Sequence, residues 1–318
     1  MRAKPAPINT EGTREPAGRS FSVGGQLLAA PRAAAGLHLV ATPIGNLGDI
    51  TLRALETLAG VDTIACEDTR ITRRLTKRYG IAAELMLYHE HNAAAARPKI
   101  LARLAEGRSV ALVSDAGTPL ISDPGFKLVR EASLAGHKVT ALPGPSSLLT
   151  ALSVAALPTD RFFFDGFLPA RLAARRARLA ELARIDATLV LFESGNRVQE
   201  ALIDLADILG AREAAICREL TKLHEEVLRA PLPDLAARAG ALETRGEFVL
   251  VIGPPPKDAQ LLTTDALDNL LRDQLADHSV KDAVAHAVAL SGRPRREVYA
   301  RALELAKEIH PKAGDGKD

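Results

Sequence analysis

Short apolar runs, each cut off by a cluster of polar residues and glycines, set the rhythm of the first half of the chain. Residues 37–41, 61–66, 85–88, 110–113 and 138–142 have strand length and end in turn chemistry. Helical segments lie between them. One begins at Leu52 and ends near Gly60; one follows Glu67–Arg70 and stops at Gly80; one spans 97–106 before Gly107; one spans 126–135 before Gly136. A fifth, apolar helix starts after Ser146, a good N-cap, and runs to about Ala156. Five strands alternating with five helices predict a parallel sheet covered on both faces. Ligands of such sheets bind outside the carboxyl ends of the strands.

The pattern changes at Leu157-Pro-Thr-Asp160, a hinge. Further strands are predicted at 161–164, 188–192, 214–217 and 247–252, with a helix running to Leu209. Gly253-Pro-Pro-Pro256 is a stiff linker. Three helices follow, at about 265–276, 279–290 and from Pro294 onward. Ser279-Val-Lys-Asp282 has capping-box spacing with Asp in the usual Glu position. Val284, Ala287 and Val288 share one face of the second helix, and Val298, Ala302, Leu305 and Ile309 one face of the third. The tight turn at Ser291-Gly292 makes the pair resemble a helix-turn-helix. The expected fold class is α/β: two α/β domains, plus a small C-terminal helical, helix-turn-helix-like domain. The expected divisions are a disordered leader at 1–36, then domains at 37–157, 158–254 and 255–318. A transit peptide is the alternative for the leader, disfavoured by Glu11 and Glu15.

Chemistry is expected in the loops that end the strands. These are Thr42 to Asp49, Glu67 to Arg70, Ser114 to Pro119, Pro143 to Ser147 and Glu193 to Arg197. Together they describe a small-molecule crevice lined by backbone amides, hydroxyls and carboxylates. Asp123 before Pro124 is expected to cap the helix that follows. No Gly-Lys-Ser/Thr follows the glycines, so the crevice is not a P-loop, and Gly45 with Gly48 do not make a dinucleotide fingerprint. His89 and His91 alternate on a strand end but lack the further ligands a metal needs. Glu67, Asp68 and Arg70 form either a reactive cluster or the first-turn charges of a helix. Arg218, Glu219, Lys222 and Glu225 form either a functional patch or surface ion pairs. Arg171, Arg175 and Arg178 are spaced i, i+4, i+7 on one helix face and are candidate phosphate contacts.

Composition narrows this picture. The net charge of +2 leaves room only for local basic surfaces. Aromatics make up 3% of the chain and tryptophan is absent, which argues against a base-stacking platform. Cys66 and Cys217 each end an apolar run and read as reduced core thiols of a cytoplasmic protein. No run is long enough to span a bilayer, so no membrane partner is expected.

Taken together, the motifs resemble one family. They are Thr42-Pro-Ile-Gly-Asn-Leu-Gly-Asp-Ile-Thr51, Cys66-Glu-Asp-Thr-Arg70, Ser114-Asp-Ala-Gly-Thr-Pro-Leu-Ile-Ser-Asp-Pro-Gly125, Pro143-Gly-Pro-Ser-Ser147 and Arg218-Glu-Leu-Thr-Lys222. In this order they are similar to the RsmI family, the bacterial 16S ribosomal RNA (cytidine-2'-O)-methyltransferases. That family lies within the tetrapyrrole-methylase-like enzymes that use S-adenosylmethionine. The likeness spans about residues 37–310. It implies S-adenosyl-L-methionine held between two α/β domains, 16S rRNA or the small ribosomal subunit as partner, and a homodimer. Thr42, Pro43, Ser114, Asp115, Ala116, Gly117, Ser146, Ser147, Glu193 and Asn196 fall at positions resembling donor contacts or beside them. The first loop lacks the Gly-x-Gly-x-Gly-Asp pattern of the tetrapyrrole branch, which counts against a porphyrin-precursor substrate. A ribose hydroxyl needs a proton acceptor, and Glu67, Asp68, Lys222 and Glu225 are the candidates. Arg70, Arg171, Arg175, Arg178, Arg295 and Arg296 are the candidate RNA contacts. A methyltransferase for a tetrapyrrole or other small molecule, or a nonenzymatic RNA-binding protein, are the competing readings.

Overall fold

The computed structural model describes residues 19–256, 264–291 and 295–309. A hairpin of β1 (Ser20–Val23) and β2 (Gln26–Ala29) comes first. The first domain then runs β3 (Gly36–Val40), α1 (Leu52–Gly60), β4 (Thr63–Cys66), α2 (Thr69–Arg78), β5 (Glu84–Leu87), α3 (Ala93–Ala105), β6 (Ser109–Val113), α4 (Phe126–Leu134), β7 (Val139–Leu142) and α5 (Ser147–Val154). Its sheet has the order β5-β4-β6-β3-β7 and every pairing is parallel. β4 and β6 are buried along their whole length, as continuous apolar runs require when both faces are covered. On one face lie Leu55 and Leu58 of α1 with Leu75 of α2; on the other lie Ile100 of α3 and Leu128 of α4.

The second domain comprises β8 (Phe162–Phe167), α6 (Leu172–Leu182), β9 (Thr188–Ser194), α7 (Val198–Leu209), β10 (Glu213–Arg218), β11 (Glu226–Pro231), α8 (Leu232–Ala237) and β12 (Glu247–Ile252). Its sheet has the order β11-β10-β12-β9-β8, with β8 and β9 parallel and the other pairs antiparallel. One face packs on Leu179 and Leu182 of α6 and Leu202 and Leu205 of α7. The other packs on Ile44, Leu148 and Leu152, which belong to the first domain. α5 and the loop after β3 therefore complete the second domain's core, and this shared core fixes how the two sheets meet.

The last three helices, α9 (Thr264–Asp277), α10 (Val280–Ser291) and α11 (Arg295–Ile309), bury Leu267, Leu271, Val284, Ala287, Val298 and Leu305 among themselves. The Ser279 hydroxyl accepts from the Asp282 N–H at 3.3 Å and donates to its carboxylate at 2.6 Å, so the expected cap forms. The side chain of Ile309 lies outside the described residues.

Several expectations need correction. Residues 19–36, assigned to a disordered leader, are ordered. Phe21 is buried against the α1 cluster, the Ser22 N–H donates to Tyr79 O at 2.7 Å, and Arg19 pairs with Asp62 at 2.6 Å. The signal was Gly24-Gly25, a two-residue hairpin turn with both φ positive, flanked by strands too short to show periodicity. Residues 1–18 lie outside the described residues. Asp123 does not cap α4. Gly125 takes that position with φ 139°, and a side chain there would meet Leu112 Cδ2 at 2.8 Å. α3 starts at Ala93, ahead of the expected Arg97, and carries Pro98 inside it. β11 is an additional strand in the second domain, paired antiparallel to β10.

Candidate active site

All strands of the first sheet point the same way, so the loops after β3, β4, β6 and β7 gather along one edge. The second sheet presents the carboxyl ends of β8, β9 and β10, and the amino end of β12, to the same space. Between them lies a cavity of about 430 Å³, within the usual range for a small-molecule site. Of the candidate donor contacts, Asp115, Ala116, Gly117, Ser146, Ser147 and Glu193 line it.

Thr42, Pro43, Ser114 and Asn196 are not in its wall. Thr42 is buried and exchanges two 2.9 Å backbone hydrogen bonds with Gly117, and its hydroxyl donates to Ser114 O at 3.2 Å. It therefore shapes the loop from behind. Gly117 has φ 81°, and a Cβ on it would lie 3.3 Å from Ile44 Cγ2, so a larger residue is strained there twice over. Ser114 is buried, its hydroxyl turned to Ala116 O at 3.2 Å. Asn196 accepts from the Ser194 hydroxyl at 2.7 Å. Ser146 does cap α5, accepting from the Leu149 N–H at 3.4 Å.

Several wall residues escaped sequence reasoning: Ser122, Phe167, Phe192, and Gly246 with the start of β12 at Glu247 and Phe248. β12 reaches the cavity because it runs antiparallel to β9, a direction that apolar patterning does not encode.

The wall is acidic: Glu67, Asp115, Asp123, Glu193 and Glu247 all contribute. Burial pushes the Glu67, Asp115 and Asp123 carboxyls above their ordinary pKa values; at Glu67 the neighbouring Asp115 and Asp123 push further in the same direction. Asp68, next in the chain, behaves oppositely. It accepts from the Arg70 guanidinium and, at 2.7 Å, from the Arg70 N–H, and these bonds hold it at about 2. Its own N–H donates to Asp115 at 3.0 Å. Asp68 is thus the N-cap of α2. Lys222 loses some charge stability by burial, but its bonds to Glu219 at 2.8 Å and Glu247 at 2.9 Å raise its pKa on balance. Glu225 accepts from the Thr221 N–H at 2.6 Å. Glu193 is fully buried; Oε1 accepts from the Ser194 N–H at 2.8 Å, while Oε2 accepts no hydrogen bond and lies 3.4 Å from the Arg197 guanidinium. The Cys217 thiol also faces the cavity, pushed up to about 11 mainly by burial.

The candidate RNA contacts divide. Arg70 is exposed but held by Asp68. Arg171, at the start of α6, is exposed, as are Arg295 and Arg296 on α11. Arg175 is buried and bonded to Asp204 at 2.6 Å, and Arg178 is bonded to Asp165 and Glu181. The expected phosphate-binding face of α6 is therefore corrected at Arg175 and Arg178, which neutralise carboxylates of β8, α7 and α6 itself. The two cysteines are free and buried, and no helix among the described residues is long and apolar enough to cross a membrane.

Residues 36–236 match the model for tetrapyrrole (corrin/porphyrin) methylases, and residues 262–306 match the RsmI C-terminal HTH domain. The chain belongs to the tetrapyrrole methylase family. Within the family it is 49% identical to the ribosomal RNA small subunit methyltransferase I of Mesorhizobium japonicum, over 85% of this chain and 92% of that one. It is 45% identical to the protein of the same name from Escherichia coli O157:H7, over 84% of this chain and 94% of that one. Among solved structures, diphthine synthase aligns with a TM-score of 0.56 at 17% identity, over 71% of this chain and 91% of that one. The methyltransferase CobJ aligns with a TM-score of 0.52 at 21% identity, over 70% and 95%. Those two likenesses establish the family's fold here, and the fold alone.

Proposed function

We propose that this chain methylates small-subunit ribosomal RNA, transferring a methyl group from S-adenosylmethionine to the ribose 2'-hydroxyl of a cytidine in 16S rRNA. The carrying observation is the relationship, over 85% of the chain, to the ribosomal RNA small subunit methyltransferase I of Mesorhizobium japonicum, with a match to the RsmI C-terminal HTH domain in the helical module as well as the two-sheet core. The same observation disfavours a tetrapyrrole substrate.

The residues present fit the donor. A sulfonium is cationic, and the cavity wall carries five carboxylates. Glu193 Oε2, which faces the Arg197 guanidinium at 3.4 Å but accepts no hydrogen bond, is an acceptor for a donor hydroxyl or amine. When bound, S-adenosylmethionine supplies an already electrophilic methyl group, so the protein's work is alignment and proton removal. Of the four candidate proton acceptors, Glu67 fits best. It lines the cavity, and its raised pKa makes its carboxylate more basic than an ordinary one. Asp68 is engaged as a cap, Lys222 is held protonated by two carboxylates, and Glu225 is bonded to a loop N–H. Asp115 and Ser146 would orient the donor, and Gly117 lets it approach the backbone. The homodimer belongs to this reading, supported by Phe162 and Phe163, exposed on edge strand β8.

The test is incubation with tritiated donor and either small-subunit rRNA or a porphyrin precursor. Label should enter RNA, and the phosphodiester next to the methylated ribose should resist alkali. Label in the porphyrin, or a site that stays alkali-labile, would overturn the assignment. Because Glu67 must be ionised to accept a proton, kcat/KM should rise with pH and reach a plateau. It should fall tenfold per pH unit below a midpoint above the ordinary carboxylate range. Glu67→Gln should abolish that limb and lower kcat about 10²–10⁴-fold, with donor affinity reduced far less. A variant retaining both kcat and the acid limb would remove Glu67 from the role.

A further inference from the structure

α2 carries Arg70, Arg73, Arg74, Lys77 and Arg78 and no acidic residue. Without these five, the chain's 41 basic residues become 36 against 39 acidic, so this one helix turns the formal charge positive. All five side chains are exposed, because the helix packs through Thr72, Leu75 and Thr76 on its other face. Among the described residues, Arg70 is the only one of the five in an ion pair. A hollow of about 370 Å³ beside edge strand β5 is lined by Arg73, Thr76, Lys77 and Leu85. The helix begins immediately after Glu67 and Asp68, at the cavity wall, and its ten residues extend about 15 Å from there.

We propose that the exposed face of α2 grips the sugar-phosphate backbone of the RNA substrate next to the nucleotide being methylated; this rests on the RNA reading above. Four cations without carboxylate partners on a rigid rod are complementary to a polyanion, and they release its counterions on contact. The contact is to backbone and carries no base specificity. Its role is register: α2 sets where along the strand the cavity opens, while α9–α11 hold RNA elsewhere. Arg73 and Lys77, on the rim of the hollow, seat a phosphate; Arg74 and Arg78 extend the track.

The experiment compares three full-length proteins on a small-subunit rRNA transcript across a salt series, with donor affinity measured on the same preparations. They are the parent, Arg73→Glu with Arg74→Glu, and Lys99→Glu with Arg130→Glu. The last pair makes the same charge change on α3 and α4, across the sheet. The α2 pair should lose at least tenfold in RNA affinity and about 1.4 in the slope of log affinity against log salt, for two single-strand phosphate contacts. Donor affinity should be unchanged and kcat at saturating RNA largely kept. Lys77→Gln with Arg78→Gln should move RNA affinity the same way by less, guarding against misfolding of the reversed pair. Equal losses in the α3/α4 control, or an unchanged slope in the α2 pair, would overturn the proposal. If the parent binds RNA with this α2 dependence yet transfers no methyl group, the gripping surface stands and the enzymatic reading fails.

Discussion

α6 carries Arg175, Arg176 and Arg178 along its length with Arg171 before it, and α2 carries Arg70, Arg73, Arg74, Lys77 and Arg78. Written as sequence, both are arginine-rich helices in a nearly neutral chain, and the regular spacing on α6 makes it the better candidate for phosphate. In the folded chain the ranking reverses. α6 lies against α7, whose Asp204 is buried, and a buried carboxylate requires a counter-charge. Arg175 and Arg176 supply it, and Asp165 and Glu181 hold Arg178. α2 has no such neighbour. The difference teaches that a basic helix is read by what its cations touch. Spacing on one face is equally what a buried ion-pair seam requires.

The sharpest test of the contrast is at Arg175. Arg175→Ala leaves Asp204 buried with half its partners, a defect that costs about 3 kcal/mol or more when one member of a buried pair is removed. The lower end of the range applies, because Arg176 still reaches Asp204 at 2.8 Å. The unfolding midpoint in urea should drop clearly while RNA affinity at low salt stays unchanged. RNA affinity falling with stability intact would restore α6 as an RNA surface.

The same contrast recurs within α11. Arg301 bonds Asp268 at 2.7 Å and Glu304 at 2.6 Å, tying α11 to α9. Arg301→Ala should lower the stability of the three-helix module, by less than the Arg175 change lowers that of the second domain, since the Arg301 side chain is one-third exposed. Limited proteolysis after the linker at Gly253 should become faster, with no change in the salt slope of RNA binding. A flattened slope would assign Arg301 to RNA after all.

The first sheet was largely legible because parallel strands buried on both faces must be apolar throughout and end abruptly in polar loops. Val110–Val113 followed by Ser114 and Asp115 shows this directly. Half of the cavity was readable for the same reason. Of the wall from the second sheet only the end of β9 at Glu193 was readable, since Phe248 lines the cavity only because β12 runs antiparallel to β9. Glu67 and Asp68 show the limit for charges. They are adjacent acids with opposite pKa shifts, set by burial for one and by Arg70 for the other. The shared core of Ile44, Leu148 and Val190 was equally hidden, because apolar spacing identifies a buried face without naming its partner.

The smallest expected effect on stability, and the last discriminator, is at Arg295 and Arg296. Both are exposed on the first turn of α11, and the face that packs the module is formed instead by Val298, Ala302 and Leu305. Cations at a helix N-terminus oppose its dipole, so nothing in folding favours two of them there. Their removal should therefore leave the unfolding midpoint where it was, or raise it slightly. The RNA contact proposed for the module would give a reason for their position. Arg295→Glu with Arg296→Glu should weaken RNA binding and flatten its salt dependence by up to about 1.4 for two lost single-strand phosphate contacts. Donor affinity should hold, because neither residue lines the cavity. Combining this pair with the Arg73/Arg74 pair separates two surfaces from one. Independent contacts at separate places give additive losses in log affinity. Unchanged affinity and slope in the Arg295/Arg296 pair would leave α9–α11 as a structural cap and α2 as the surface that holds the substrate.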